Sequence, residues 1–453
     1  MPGFLLKTGF DEESMRLAIT QIISRAVYPA SEFETGRRIQ ENSDVCEITK
    51  YPLEKLTKDK LYNSSLRLYE KKEDIEKYLS LKTNQLFDIQ DRIFLYDLTN
   101  TYYEGKMKNS RIAKFGRSKE KRSDCKIVVL AIVMNVEGFI KYSTIFAGNM
   151  QDAQTLIHIV KHLRSQTSAT AQKAIVVIDA GMVIERSRNI ATEENLQMLV
   201  DNQFDYICVS HSKLKNYKID KDSKPVVVED KKNQKITLQK VESEKYNDYY
   251  LKIESEAKRK KEESMNNRFQ EGFETGLKAI SASLAKKSGT KLEEKVFERI
   301  GRLKQKYRSI HRHYNINYEV EIETVVNRKT KEKREVRTVK SMSWSVKDNI
   351  EINETSGIYF LRTSLVDQEI IVWEGYNTVR EEEYCFRTLK TDLDLRPIYH
   401  KRDDTSIFRH FDGFDKLTDR KLNDHKLNNH GAFKSWTISI LGCQHDTVST
   451  QTQ

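Results

Sequence analysis

The chain has 453 residues, which is too many for one small hydrophobic core and predicts two or three domains. Hydrophobic residues make up 38% of it, which excludes global disorder. No apolar run approaches the ~20 residues that a membrane-spanning helix needs. Lysine and arginine total 78 against 67 acidic residues, so the net charge of +11 favours a polyanionic partner, of which nucleic acid is the commonest.

The cysteines and the first residues of the chain bear on its compartment. Five cysteines are scattered singly without a C-x-x-C pair, which argues against a zinc site and a disulfide framework and is typical of reduced thiols. The opening stretch MPGFLLKTGFDEES lacks the apolar length of a signal peptide. A cytoplasmic protein with no membrane contact is therefore expected.

Helices are predicted for the first 90 residues. Apolar residues recur at helical spacing over residues 14–27 and again over 55–81, with only weak helix breakers between the two stretches. The sequence therefore predicts a helical N-terminal region.

The pattern changes to strands at Ile93. The stretch IVVLAIVM is apolar throughout, so a strand buried on both faces is expected there, and the alternating segment after it completes a hairpin. A meander followed by alternating helices and strands predicts a mixed α/β sheet with flanking helices. The predicted strands are 93–96, 127–134, 139–146, 175–178 and 206–209, and the predicted helices are 152–163 and 193–200.

A lysine-rich stretch over residues 211–350 interrupts this pattern. It begins and ends with strand-like segments (225–228, 235–241, 318–326 and 335–339), and between them it holds long charged helices over 255–284 and 292–311. After it, residues 357–362 and 369–373 predict a strand pair and residues 376–390 a helix. The predicted domains are 1–90 (helical), 91–210 (first part of the sheet), 211–350 (α+β insert), 351–410 (rest of the sheet domain) and 411–453 (polar tail).

Two aspartates, Asp97 and Asp179, share a setting, because each follows a predicted buried strand. In open α/β sheets, ligands collect at the carboxyl ends of strands. Two carboxylates placed there repel each other unless a cation lies between them, and magnesium suits one or two carboxylates together with phosphate oxygens. Each aspartate taken alone is also typical of a turn or a helix cap.

Glu383 is the candidate for a third acid. On a helix, Glu383, Phe386, Arg387 and Lys390 share one face, because they are spaced at i, i+3, i+4 and i+7. That face offers a carboxylate, an apolar anchor and two cations for a phosphate backbone. Two metal ions on three acids can activate a water and stabilise the leaving oxygen of a phosphodiester. Taken alone, Glu383 with Arg387 is more typical of an ordinary i,i+4 surface ion pair than of a catalytic site.

Short motifs, in order over residues 20–410, resemble the DDE-type transposases of bacterial insertion sequences, specifically those with a β-rich insert between the second and third acids. Each motif is weak alone, and their order makes the resemblance specific. The motifs are DLTNTYYEG at 97–105, SKEKRSD at 118–124, FAGNMQD at 146–152, VIDAG at 177–181, ERIGRLK at 298–304, Tyr376 with Glu383 and Lys390, and RPIYH at 396–400.

The resemblance implies a ribonuclease H-like core and metal-dependent cleavage and strand transfer of transposon-end DNA. It implies that Asp97, Asp179 and Glu383 are catalytic and bind two Mg²⁺ ions, for which Mn²⁺ substitutes. The N-terminal region would bind DNA ends, and a homodimer would assemble two ends in a synaptic complex associated with the nucleoid. The implied contacts to DNA phosphate are Tyr376, Arg387, Lys390 and Arg122.

Other interpretations stay open. The chain departs from the family pattern at residues 182–189, which follow the second acid, and in the polar tail after His410, and it begins inside the family's N-terminal region. A catalytically inactive, DNA-binding remnant is therefore one alternative, and a metal-dependent nuclease without joining activity is another. Trp344 or Trp373 is a candidate to stack on a flipped base, with core packing as the alternative role.

Overall fold

A computed structural model describes residues 1–118, 122–167, 173–178, 192–210, 217–221, 223–230, 232–242, 249–326, 333–347, 355–366, 368–379, 386–387, 390–391, 396–399 and 401–403. They divide between two compact units. The first unit comprises Met1–Lys215, Glu242–Tyr250 and Leu361–Gln453, and the second comprises Asn216–Val241 and Leu251–Phe360.

Helices form the start of the first unit, as predicted. Side-chain caps begin three of them, because Asp11, Ser31 and Thr57 each accept a hydrogen bond from a backbone N–H of the first turn. The predicted helix over 55–81 is in fact two helices that meet at Lys71. The helices are α1 (Pro2–Lys7), α2 (Glu12–Val27), α3 (Glu32–Asn42), α4 (Val45–Thr49), α5 (Lys58–Glu70) and α6 (Lys72–Phe87).

A mixed sheet with flanking helices forms the centre of the first unit. Its elements are β1 (Ile93–Tyr102), β2 (Ile127–Asn135), β3 (Ile140–Ala147), α7 (Asp152–Thr167), β4 (Ile175–Ile178), α8 (Glu193–Asp201) and β5 (Asp205–Ser210). Among the described residues, these five strands lie side by side in the order β3-β2-β1-β4-β5 within a nine-stranded sheet. β4 is parallel to both β1 and β5, whereas β2 is antiparallel to β1 and β3. Every residue of β2 is buried, which confirms the prediction from its apolar run.

Strand β1 is longer than predicted. The prediction that Asp97 ends it is wrong, because the ladder with β2 continues from Asp97 opposite Ile132 to Tyr102 opposite Ile127. The polar residues after Asp97 stay in the strand with their side chains buried, and threonine, being β-branched, suits a strand.

The second unit contains strands and two long helices, and most of them lie near predicted segments. The strand Tyr249–Ser255 has no predicted counterpart, and the strand predicted at 335–339 extends over Lys333–Val346. Its hydrophobic core lies between the two helices and a two-stranded antiparallel ribbon formed by Tyr314–Val326 and Lys333–Val346. The second helix ends at Lys306, earlier than predicted, and residues 307–313 turn into the ribbon. The elements are β6 (Val226–Glu229), β7 (Lys235–Val241), β8 (Tyr249–Ser255), α9 (Glu256–Ala285), α10 (Glu293–Lys306), β9 (Tyr314–Val326), β10 (Lys333–Val346) and β11 (Ile358–Thr363). Strands β8 and β11 contribute residues to both units.

The predicted strand over 369–373 is wrong, because these residues begin helix α11 (Glu369–Asn377). The run EIIVW is short, and periodicity alone does not distinguish a buried strand from a buried helix segment. One side of the helix is buried through Val372, Trp373 and Gly375. Tertiary packing therefore decided an assignment that local pattern left ambiguous.

No helix within the described residues is both long enough and apolar enough to cross a bilayer. The predicted polar tail, residues 411–453, lies outside the described part of the chain.

Candidate active site around Asp97

Asp97 lies in the middle of β1, where one neighbouring strand ends. On one side β1 continues along β2, and Asp97 is opposite Ile132. On the other side β4 pairs with residues 93–96 only, and the last parallel pair is Tyr96 with Ile178. The Asp97 side chain is half-buried. Because side chains alternate along a strand, it lies on the opposite face of the sheet from Tyr96.

The residue before Asp97 is anchored to helix α7. Tyr96 is fully buried, and its hydroxyl donates to Thr155 Oγ1 at 2.6 Å. Thr155 Oγ1 donates in turn to the backbone carbonyl of Asp152 at 2.5 Å. Burial raises the pKa of the Tyr96 hydroxyl, the bond to Thr155 lowers that pKa, and the carboxylates of Asp97 and Asp152 raise it. The phenol therefore stays a hydrogen-bond donor and holds this part of β1 against α7.

The end of β1 pairs with a segment that lies far along the chain. Tyr103 and Ile398 form a parallel bridge, in which Ile398 N–H donates to the Tyr102 carbonyl and Glu104 N–H donates to the Ile398 carbonyl, both at 2.9 Å. Ile398 is fully buried and packs with Tyr103 and Met107. The segment that follows the third predicted acid is thus attached to the strand that carries the first.

Asp179 and Glu383 lie outside the described residues. Asp179 directly follows Ile178 in the sequence, just as Asp97 directly follows Tyr96, and Tyr96 and Ile178 are partners in the parallel register. Within the described part of the chain, no group of three histidine, cysteine or acidic side chains is placed to hold a metal ion. Of the three predicted ligands, only Asp97 belongs to that part, and its half-buried carboxylate is the donor type that Mg²⁺ prefers.

The predicted phosphate contacts near the third acid have different environments. Tyr376 is half-buried near the end of α11, Arg387 is exposed, and Lys390 is half-buried. Phe386 is 7% exposed, which agrees with its predicted role as an apolar anchor.

Arg122 is held by two carboxylates at the end of β1. Its guanidinium lies 2.6 Å from Asp124 and 3.8 Å from Glu104, and it lies over the Tyr102 ring at 4.9 Å from the centroid. The hydrogen bond with Asp124 raises the pKa of Arg122 and lowers that of Asp124. A phosphate contact by Arg122 would therefore compete with Asp124.

The two tryptophans considered for base stacking contribute to hydrophobic cores. Trp373 is 7% exposed on α11. Trp344 is half-buried and packs against the core of the second unit.

Sequence reasoning missed the role of the loop that follows β1. Tyr103, Met107 and Ala113 form a small buried cluster with Ile398 and with Val128 of β2. The sequence feature that could have drawn attention to this loop is the high density of lysine and arginine between residues 106 and 126.

Comparisons with known proteins add little to this geometry. No protein-family model matches the chain, and no curated protein matches it. Among solved structures, the chain is similar to the cryo-EM structure of a piggyBac transposase synaptic complex with hairpin DNA. The sequence identity is 7% and the TM-score is 0.34, over 98% of this chain and 78% of that one. A TM-score this low carries no argument about the fold or activity of this chain.

Proposed function

We propose that the chain is a DDE-type transposase that cuts DNA ends and joins them to a target. The observation that carries the proposal is the parallel pairing of Tyr96 with Ile178. The residues that directly follow this pair in the sequence are Asp97 and Asp179, the first two acids of the motif series. A mixed sheet with a parallel β1–β4–β5 centre and flanking helices is compatible with a ribonuclease H-like core.

The pairing of Ile398 with Tyr103 supports the same proposal. It attaches residues 396–399 to the end of β1. The motif at 396–400 therefore pairs with the motif at 97–105, although the two are almost 300 residues apart in the chain. Glu383 lies only a short stretch of chain before this segment. Glu383, as the third acid, would then come from a part of the chain that leads to the end of the strand carrying Asp97.

Asp97, Asp179 and Glu383 would hold two Mg²⁺ ions in this proposal. When bound, such ions supply an activated water and charge stabilisation at the scissile phosphate. The polypeptide would contribute the carboxylates and the cations that position the DNA backbone, for which Tyr376, Arg387, Lys390 and Arg122 are the candidates. A homodimer that brings two DNA ends together is part of the same proposal.

The first prediction concerns Asp97→Asn. We expect this change to lower Mg²⁺-dependent cleavage by about 10³-fold or more while DNA binding persists, because it removes a metal-binding charge worth several kcal/mol at the transition state. Cleaved and joined products are resolved on gels from a supercoiled plasmid that carries the coding sequence with the DNA flanking it on both sides. Asp179→Asn and Glu383→Gln should behave in the same way.

Asp88→Asn is the matched control. Asp88 is exposed and adopts a left-handed conformation that asparagine also tolerates, so this variant should retain full activity. Activity in all three acid variants would overturn the proposal. Nicks without joined strands would indicate a nuclease, and DNA binding without any cleavage by the unaltered protein in Mg²⁺ or Mn²⁺ would indicate an inactive remnant.

A further inference from the structure

The loop after β1 and the segment that pairs with β1 form one surface, which we call the basic edge (residues 104–117, 396–399 and 401–402). Its inner side is apolar, with Met107 and Ala113 buried against Ile398. Its backbone is fixed by hydrogen bonds, since Lys126 Nζ donates to the Met107 carbonyl at 2.8 Å and Asn100 Nδ2 donates to the Arg117 carbonyl at 3.0 Å. The basic edge is therefore an ordered platform.

The outer side of the basic edge is positively charged. Lys106, Lys108, Arg111, Arg117 and Lys401 are exposed, and none of them has a carboxylate within ion-pair distance among the residues that the structure describes. Three acids in the described part of this region are already engaged, because Glu104 and Asp124 flank Arg122 and Asp403 accepts hydrogen bonds from Ser110 and the backbone of Arg111. Uncompensated cations of this density attract a polyanion.

The basic edge also carries two exposed aromatic rings. Phe115 is 62% exposed and Tyr399 is 66% exposed. The backbone next to Tyr399 and the backbone next to Phe115 lie three strand spacings apart, through the bridges Tyr103–Ile398 and Lys114–Ile127 and the Tyr102–Ile127 pair. At ~4.8 Å per spacing, the separation is about 14 Å. Exposed cations and exposed aromatic rings on one surface suit single strands, because phosphates contact the cations and unpaired bases stack on the rings.

We infer that the basic edge binds a single-stranded segment of DNA. The identification of the polyanion as DNA rests on the proposed function. The preference for unpaired bases rests on Phe115 and Tyr399, because the bases of a duplex are already stacked on one another and do not offer their faces to these rings. The surface lies at the end of the strand that carries Asp97, so it would hold the strand released or exposed beside the cut.

Fluorescence anisotropy tests the cations, with labelled oligo-dT of about 20 nucleotides and a duplex of equal length as probes. The measurements are made in the Asp97→Asn background, so that cleavage plays no part. For single strands, each lost phosphate contact lowers the slope of log K against log salt by ~0.7. The variant Lys106→Gln/Lys108→Gln/Arg117→Gln should therefore bind oligo-dT with a slope that is less steep by about 2.

The aromatic pair is tested separately with the same probes. Phe115→Ala/Tyr399→Ala should weaken binding of oligo-dT about tenfold or more while duplex binding changes little. All five changes affect exposed side chains, and unchanged thermal unfolding midpoints confirm that the variants fold.

The matched control removes the same charge elsewhere. Lys221, Lys232 and Lys235 are exposed in the second unit, and Lys221→Gln/Lys232→Gln/Lys235→Gln should leave the slope unchanged. Unaltered oligo-dT binding in the basic-edge variants, an equal loss in this control, or an equal loss of duplex binding in the aromatic variant would each overturn the inference. A failure of the proposed function would instead appear as absent cleavage by the unaltered protein with oligo-dT binding intact.

Discussion

Lys141 is a charged residue that lies inside the first unit, on β3, and is 1% exposed. Its ammonium group lies 2.7 Å from Asp91 Oδ2 and donates to Asn84 Oδ1 at 2.7 Å. Asp91 also accepts from Asn84 and Asn135. Burial lowers the pKa of Lys141, and the Asp91 carboxylate opposes that shift. This polar network joins helix α6 to the hairpin beside β1 and so helps to fix the sheet.

Lys141→Met should destabilise the protein by about 3 kcal/mol, because it leaves the Asp91 carboxylate in a mostly buried site without its cation. Urea denaturation measures the change in the free energy of unfolding. Lys260→Met removes a lysine from an exposed pair with Glu256 and should change the free energy of unfolding far less, because solvent screens that pair. Equal effects of the two substitutions would contradict the role of burial.

His162 gives the stability of the first unit a dependence on pH. Its ring stacks on Tyr142 at 3.9 Å between centroids, and burial lowers its pKa below the usual 6.5. The unfolded chain therefore binds a proton at a higher pH than the folded chain does, so the contribution of His162 to stability is complete above about 6.5 and is lost as the pH falls through the folded pKa.

The free energy of unfolding should thus fall more steeply below pH 6.5 in the unaltered protein than in His162→Phe, which keeps a stacked ring but does not titrate. Urea titrations at several pH values between about 5 and 7.5 measure both slopes. Identical slopes would show that His162 is equally protonated in the two states.

At the scale of elements, close backbone contact fixes where the loop after β1 meets the sheet. A Cβ at Gly148 would lie 2.1 Å from the carbonyl oxygen of Ile127, and one at Gly116 would lie 2.0 Å from the carbonyl oxygen of Gly148. Only glycine allows the loop, the end of β3 and the start of β2 to approach this closely. In contrast, a Cβ at Gly301 on helix α10 would meet no atom within 4 Å.

The two sites predict opposite effects of the same substitution. Gly148→Ala should destabilise the protein by about 2 kcal/mol or more, because backbone atoms would have to move. Gly301→Ala should stabilise it by up to about 1 kcal/mol, because alanine restricts the unfolded chain and favours a helix. Thermal unfolding compares the two, and a stabilising Gly148→Ala would show that the loop is not held against the sheet.

At the scale of the whole molecule, the two units have separate hydrophobic cores. Leu156 belongs to the core that α7 and α8 form with the sheet of the first unit. Phe273, which is fully buried, belongs to the core between α9, α10 and the β9–β10 ribbon. Core substitutions in either unit should therefore act first on that unit.

Phe273→Ala should cost about 3–5 kcal/mol and lower the protection of amides in α9, α10, β9 and β10. Hydrogen exchange read by mass spectrometry should show β1 and β2 still protected. Leu156→Ala should give the reverse pattern. Equal loss of protection throughout the chain in either variant would indicate a single cooperative unit.

The sequence by itself predicted the elements whose burial shows in their own local pattern of apolar residues. The apolar run of β2, the strand β4 and the long helix α9 lie close to their predicted bounds, because uniform or periodic burial leaves a local pattern. Asp97 was recognised as a candidate for the same reason, as an acid beside an apolar run.

The tertiary structure decided what depends on a distant partner. β1 continues beyond Asp97 because β2 pairs with it, the run at 369–373 is a helix because of what it packs against, and Ile398 reaches the end of β1 through backbone hydrogen bonds. A local pattern reports which face of a segment avoids water, but it does not identify the segment that covers that face. Which residues far apart in the chain pair with each other depends on how the whole chain folds, so only the tertiary structure shows it.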